Sequence, residues 1–187
     1  MTGPRIILFG KLPSHGDFVA RGLDADARDA WDTWLSQGLA GARATLGDGF
    51  DTAYETAPPW RFVTGPGSFG PGWRAGALTP SVDSVGRRFP IVVATEDLSA
   101  EQAANEGAAL AQAMDDAIRD AFEQQLTADA ALQAAQVRAA EPQAAEPVAT
   151  PSWWTEGGEH LASQATLLPP ADLLVRLWTL ETAERAA

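Results

Sequence analysis

Residues 60–95 of this 187-residue chain read WRFVTGPGSFGPGWRAGALTPSVDSVGRRFPIVVAT, and this stretch decides the fold. Three short apolar runs, at 60–64, 73–79 and 89–95, have the length and composition of β-strands. The segments between them are rich in Gly, Pro, Ser and Asp and hold only eight and nine residues. A crossover between parallel strands needs roughly ten or more residues. Consecutive strands are therefore predicted to pair antiparallel, as a meander.

Apolar patterns before this stretch predict one more strand and a helix. Residues 5–10 (RIILFG) form a short continuous apolar run that ends in Gly, which is typical of a buried strand. Residues 24–46 carry large apolar side chains three to four positions apart, so these side chains share one face of a helix. Asp24 is predicted to cap the start of this helix and Gly47 its end.

The longest helical pattern follows at residues 99–138. Ser99 and Gln102 have the spacing of a capping box. Thr127 is predicted to cap a second helix, so we expect a break near residue 127. Four acidic side chains lie off the apolar stripe and are predicted to form a solvated face: Asp115, Asp116, Asp120 and Glu123.

The rest of the chain predicts a linker, an aromatic segment and a last helix. Residues 139–151 are mostly Ala, Glu and Pro, which is typical of a linker or an exposed loop. Trp153-Trp154 is predicted to pack onto the core, and a helix is predicted to begin near Pro169-Pro170. The apolar face of that helix consists of Leu173, Leu174, Leu177, Trp178 and Leu180. Together the patterns predict an α/β layered sandwich around a mostly antiparallel sheet with flanking helices, as a single domain over residues 1–187.

Charge and composition exclude several classes of function. Residues 1–95 hold nine basic and nine acidic side chains, whereas residues 96–187 hold four basic and sixteen acidic ones. The whole formal charge of −12 therefore lies in the second half, and no basic stripe is present for nucleic acid. Cysteine is absent, which excludes disulfides, thiolate metal sites and a cysteine nucleophile.

The hydropathy pattern predicts a cytoplasmic protein that is not embedded in a membrane. The apolar run at residues 6–9 is too short for the core of a signal peptide. No run approaches the roughly 18 apolar residues of a membrane helix.

Two patterns that suggest chemistry have simpler structural explanations. Gly65–Gly70 matches G-x-G-x-x-G, but a strand follows where a nucleotide site needs a helix, so an inter-strand loop is predicted. Ser14, His15 and Asp17 are the residue types of a hydrolase triad, but side chains of chain neighbours point apart. An approach of His15 to Asp83 in space stays open.

The loop at residues 80–90 is rich in groups that form turns and ion pairs. Ser81 and Asp83 are expected to bond local backbone groups. One of Arg87 and Arg88 is expected to pair with an internal carboxylate, because the guanidinium fork matches that partner.

Several segments together resemble the TagF (ImpM) family, which is associated with the bacterial type VI secretion system. The segments, in the order that the family has, are Gly10–Phe18 with Arg21, Trp60–Phe62, Gly65–Gly72, Pro80–Pro90, and Ser152–Trp154 with Gly157-Gly158. The resemblance covers nearly the whole chain.

This resemblance implies a cytoplasmic, non-enzymatic accessory protein that represses type VI secretion after translation. It implies binding to the forkhead-associated scaffold protein of that system, without a cofactor or a metal. Two alternatives stay open. One is a hydrolase or phosphate-ester-handling enzyme that uses His15 with Asp17 or Asp83, and the other is a structural subunit of the apparatus.

The family motifs also single out polar side chains in two loops at strand ends, which we expect to meet as one patch. The patch is predicted either to bind the partner or to fix the loops as a buried network. Its residues are Lys11, Ser14, His15, Asp17, Arg21, Ser81, Asp83, Arg87 and Arg88. A partner bound instead by the acidic helix would dissociate more readily as salt increases.

Overall fold

The computed structural model describes residues 5–67, 69–141, 144–147, 151–156, 160–162 and 172–184. Gly157-Gly158, the predicted helix start at Pro169-Pro170 and the side chain of Leu180 lie outside the described part. The secondary structure elements are β1 (Arg5–Lys11), β2 (Phe18–Arg21), α1 (Ala25–Leu46), a 3₁₀ turn (Gly47–Gly49), α2 (Phe50–Thr56), β3 (Trp60–Thr64), β4 (Trp73–Thr79), β5 (Ile91–Leu98), α3 (Ala100–Glu123), α4 (Ala128–Ala140), β6 (Ser152–Trp154), β7 (His160–Ala162) and α5 (Leu173–Glu184).

The strands form one sheet in the order β2-β1-β5-β4-β3-β6-β7. Every neighbouring pair is antiparallel, and β3, β4 and β5 are adjacent in chain order. The predicted meander is therefore confirmed. Strands β2, β6 and β7 were not predicted, because three or four residues are too few to show an alternating pattern.

Alternating side chains bury both faces of the sheet. Along β5, Val92 and Ala94 face one helical layer, whereas Ile91 and Val93 face the other. The first layer holds α1, α2 and α5 and buries mainly aromatic rings. The second holds α3 and α4 and buries many alanines. These layers confirm the predicted α/β sandwich with flanking helices.

Local caps begin the helices where the sequence predicts them. The Asp24 side chain accepts a hydrogen bond from the Ala27 amide. Ser99 forms the reciprocal capping box with Gln102, and the Thr127 hydroxyl accepts from the Ala130 amide to begin α4. Gly47 ends α1 with a φ of 52°, a conformation that favours glycine. The predicted break near residue 127 is confirmed, because α3 ends at Glu123 and α4 begins at Ala128.

The Gly65–Gly72 segment is an inter-strand loop, as predicted, and not the start of a helix. Phe69 stacks on Trp31 with 3.8 Å between the ring centroids. The buried guanidinium of Arg74 donates to the carbonyl oxygens of Phe69 and Gly72. The glycine pattern therefore forms a loop that is fixed to the core.

Predictions for the second half of the chain have mixed outcomes. Trp153 and Trp154 are buried, as predicted. The predicted solvated acidic face is wrong at Asp115, which is buried and lies 2.9 Å from the Arg61 guanidinium. The cause is that α3 packs across β3, so this position faces the sheet. Burial raises the pKa of Asp115, although Arg61 opposes the rise.

The linker predicted at residues 139–151 stays a prediction, and α4 continues as far as Ala140. Within the described residues, no helix combines the length and the apolar character that crossing a membrane would require.

Candidate functional site

The two loops that carry the family motifs meet at one end of the sheet. Strand β1 ends next to the start of β5, where Gly10 pairs with Ile91, and β4 ends there too, where Thr79 pairs with Ile91. The loop after β1 and the loop between β4 and β5 are therefore brought together by antiparallel pairing. We call the surface formed by residues 11–18 and 81–88 the motif surface.

An ion cluster centred on the buried Asp83 carboxylate joins the two loops. The Asp83 Oδ2 atom lies 2.7 Å from Lys11 Nζ and 2.7 Å from Arg87 Nε. Its Oδ1 atom accepts from the amides of Val85 (3.1 Å) and Arg87 (2.8 Å). Burial by itself would raise the pKa of Asp83, but the hydrogen bonds from Lys11 and Arg87 outweigh it and hold the pKa well below its usual range. Asp83 is therefore an anion shared by two cations.

Backbone contacts lock the loops in place around this cluster. The Ser84 amide donates to the His15 carbonyl at 2.8 Å, and an Arg87 Nη2 donates to the Gly16 carbonyl. The Ser81 hydroxyl donates to the Lys11 carbonyl at 2.8 Å. These bonds satisfy polar groups that would otherwise be costly to bury.

Tyr54, a residue that the sequence reasoning missed, supports the second loop from α2. Its hydroxyl donates to the Ser81 carbonyl at 2.7 Å and accepts from the Ser81 amide at 2.9 Å. Burial raises the pKa of Tyr54 above its ordinary value. The sequence feature that could have pointed to it is that Tyr54 is the chain's one tyrosine, four positions after Phe50 in a short amphipathic segment.

Ser14, His15 and Arg21 attach the first loop to α4 and to the turn before it. The Ser14 hydroxyl donates to the Leu126 carbonyl at 2.6 Å, and its oxygen lies 2.9 Å from His15 Nδ1. Because a hydroxyl has one proton and the Leu126 carbonyl can only accept, both contacts are satisfied by the tautomer in which Nδ1 is protonated and donates to the serine. Arg21 Nε donates to Asp129 at 2.6 Å.

This arrangement is the reverse of a nucleophile and its base. A general base must accept the serine proton, whereas His15 donates to Ser14. Within the described part of the chain, His15 forms no hydrogen bond or ion pair with Asp17 or Asp83. The catalytic set that the sequence left open is therefore not assembled in this structure.

Asp17 and Arg88 lie at the margin of the cluster. Asp17 is exposed, and its carboxylate accepts from the Phe18 amide at 2.8 Å. Arg88 is turned towards α2, where it lies 2.5 Å from Glu55 and 3.4 Å from Asp51. The structure thus brings Lys11, Ser81 and Arg87 together around Asp83 or the Lys11 backbone and leaves Asp17 and Arg88 outside this network.

Apolar side chains on the motif surface are exposed to solvent. Among the described residues, the large hydrophobic side chains that are exposed are Phe18 (47%), Val82 (37%), Val85 (70%) and Val137 (64%). Three of these four lie on the motif surface, and the fourth lies on α4. Sequence reasoning missed the three because it singled out only polar side chains in these loops. The available signal was the valine pair of the V-D-S-V-G run within an otherwise polar loop.

The described residues contain no group of three or more histidine, aspartate or glutamate side chains arranged to hold a metal ion.

These features define an α/β domain with an antiparallel sheet between two helical layers, in which an ion cluster around the buried Asp83 fixes two loops at one end of the sheet. The chain belongs to the TagF family, because the model of the TagF N-terminal domain, described as type VI secretion system-associated, matches residues 8–141. It is thus a type VI secretion system-associated protein.

A solved structure is similar to this chain over nearly its whole length. The crystal structure of PA0076 from Pseudomonas aeruginosa PAO1 is similar to this chain, with 27% sequence identity and a TM-score of 0.71. The similarity covers 92% of this chain and 93% of that one. No curated protein sequence matches the chain.

Proposed function

We propose that this protein is a non-enzymatic regulator of the type VI secretion system, which represses secretion after translation by binding the forkhead-associated scaffold protein. Membership of the TagF family supports the secretion system, and the resemblance to that family suggests the repressor role and the partner. The proposal takes the chain to act in the cytoplasm as a single domain, with a linker or exposed loop at 139–151.

The observation that favours binding over catalysis is the state of the motif residues. Asp83 is occupied on both oxygens by groups of the protein itself. Ser14 and His15 are oriented so that the histidine donates and the serine proton goes to a backbone carbonyl. Asp83, Ser14 and His15 Nδ1 are thus engaged by groups of the protein itself, and such contacts are suited to hold a surface in shape.

Two measurements test this proposal. Deletion of the gene is expected to raise the amount of secreted type VI substrate in the medium, and overproduction is expected to lower it. The purified full chain is expected to bind the purified scaffold protein in a calorimetric titration. Loss of secretion on deletion would contradict repression and would indicate a structural subunit.

The enzyme alternative has its own control. A His15→Ala variant that still represses secretion like the wild type supports a non-enzymatic role. If this variant stays folded and binds the scaffold but no longer represses, the non-enzymatic proposal is contradicted.

A further inference from the structure

The most exposed large apolar side chain of the described residues lies at the tip of the motif surface. Val85 occupies a tight turn that is closed by the Gly86 amide, which donates to the Asp83 carbonyl at 3.0 Å. Gly86 has a φ of +84°, a conformation that suits glycine. Because 70% of Val85 is exposed, its side chain protrudes from the protein.

The second exposed group is an aromatic ring from the other loop. Phe18 lies edge-on to Phe89 with 4.7 Å between the ring centroids, and Lys11 Nζ lies 5.0 Å from the Phe18 ring. The two loops touch beside it, because Arg87 donates to the Gly16 carbonyl. Phe18 and Val85 therefore lie on two loops that are bonded directly to each other.

The backbone under these side chains is already fixed. Asp83 holds the Val85 amide, and His15 holds the Ser84 amide. Ordering a loop on binding costs free energy that a fixed loop does not lose. Apolar side chains held in this way are typical of a pre-organised contact surface.

The charges of the motif surface argue against a polyanionic ligand. Of the five charged side chains of this surface, two cations and two carboxylates balance each other: Lys11, Arg87, Asp17 and Asp83. Arg88 is paired with Glu55 and Asp51 of α2. Nucleic acid and anionic membranes bind to an excess of positive charge, which this surface does not offer.

We infer that Phe18, Val82 and Val85 are the side chains through which this protein contacts its partner, and that the partner is a protein presenting an uncharged apolar recess to them. In this inference Lys11, Ser81 and Asp83 position the loops and do not touch the partner. The identity of the partner as the scaffold protein rests on the proposed function, whereas the surface itself does not.

A matched pair of variants tests the surface. Val85→Glu and Val137→Glu change valines of similar exposure, 70% and 64%, and only the first lies on the motif surface. We expect Val85→Glu to weaken scaffold binding at least about tenfold, because a carboxylate would enter an apolar contact. Val137→Glu should bind like the wild type. Circular dichroism and urea unfolding of both variants establish that they are folded.

Site-specific photo-crosslinking separates this inference from the proposed function. A photoreactive amino acid is placed at position 85 or 137 of the full chain, in cells with an intact secretion system. We expect an adduct with a component of that system at position 85 and none at 137. If the wild type does not bind the scaffold but position 85 is crosslinked to another component, the proposed partner is wrong and the surface is supported.

Two results would overturn the inference. One is scaffold binding by Val85→Glu that equals wild-type binding. The other, if the wild type does not bind the scaffold, is the absence of any adduct with a secretion-system component at position 85.

Discussion

At the scale of single residues, Asp83 determines the shape of the motif surface. Its two oxygens hold Lys11, Arg87 and two backbone amides. Lys11 is a buried cation, and a buried cation requires an anionic partner. Removal of the Asp83 charge is therefore expected to disturb both loops, because each loop is held by this one carboxylate.

The pH dependence of stability tests the role of Asp83. The folded protein holds the pKa of this carboxyl below its unfolded value of about 3.9. Its contribution to stability is therefore fully present above that value and is lost as pH falls through the folded pKa. We expect Asp83→Asn to be less stable than the wild type in urea unfolding at about pH 7, and the difference to shrink at about pH 3.

Asp17→Asn is the control for this experiment, because Asp17 is exposed on the same surface and contacts only a neighbouring amide. Its stability should follow that of the wild type. An Asp83→Asn deficit that does not change with pH would show that the carboxylate charge is not what stabilises the loops.

Arg74 and Arg5 provide a second test, because they contact the same carboxylate in different surroundings. Arg74 is 1% exposed and lies 3.1 Å from Glu96, whereas Arg5 is 46% exposed and lies 2.6 Å from it. Arg74→Met is expected to lower the unfolding free energy by about 3 kcal/mol, because it leaves a buried carboxylate with less compensation. Arg5→Met is expected to cost at most about 1 kcal/mol. Equal losses in chemical unfolding would contradict the effect of burial.

At the scale of elements, the pairing of β4 with β5 depends on close backbone approach. A Cβ atom on Gly76 would lie 2.5 Å from the Ala94 side chain and 2.5 Å from the Val93 carbonyl. These neighbours cannot move without displacing β5. The close approach of β5 to β4 therefore leaves no room for a side chain at Gly76, in the middle of β4.

Substitution of Gly76 tests this constraint. Gly76→Ala is expected to lower the unfolding free energy by about 1–3 kcal/mol, the usual cost of overpacking. Gly49→Ala is the matched control, because nothing lies within 4 Å of its Cβ position and its φ is −79°. That variant should stay within about 0.5 kcal/mol of the wild type. A Gly76→Ala protein as stable as Gly49→Ala in urea would show that the two strands can separate at no cost.

At the scale of the whole molecule, the charge is distributed unevenly, and this bears on the interface. The second half holds the net −12, but its acidic helix is less available than the sequence suggests. Asp115 is buried against Arg61, and Asp120 lies 2.6 Å from Arg138. The motif surface, by contrast, combines balanced charges with exposed apolar groups.

The salt dependence of binding separates the two surfaces. Apolar contact at the motif surface predicts that the affinity for the scaffold changes less than about threefold between about 50 and about 500 mM NaCl, because only interactions between charges are screened. Calorimetric titration across this range measures it. A fall in affinity of about tenfold or more would indicate that the scaffold binds the acidic second half of the chain instead.

The sequence by itself determined what depends on neighbours along the chain. Short connections made β3, β4 and β5 antiparallel, and caps at Asp24 and Ser99 set where α1 and α3 begin. These features are local, since a turn or a cap is formed by residues within a few positions of one another.

Only the tertiary structure decided which side chains meet and which face solvent. Lys11 and Asp83 are 72 positions apart, and Arg61 and Asp115 are 54 apart, so no local pattern pairs them. The exposure of Val85 follows from the turn that Asp83 holds, whereas the similar Val92 is buried in β5. Ion pairs and burial depend on distances through space, and these are fixed only once the sheet and its two helical layers have packed.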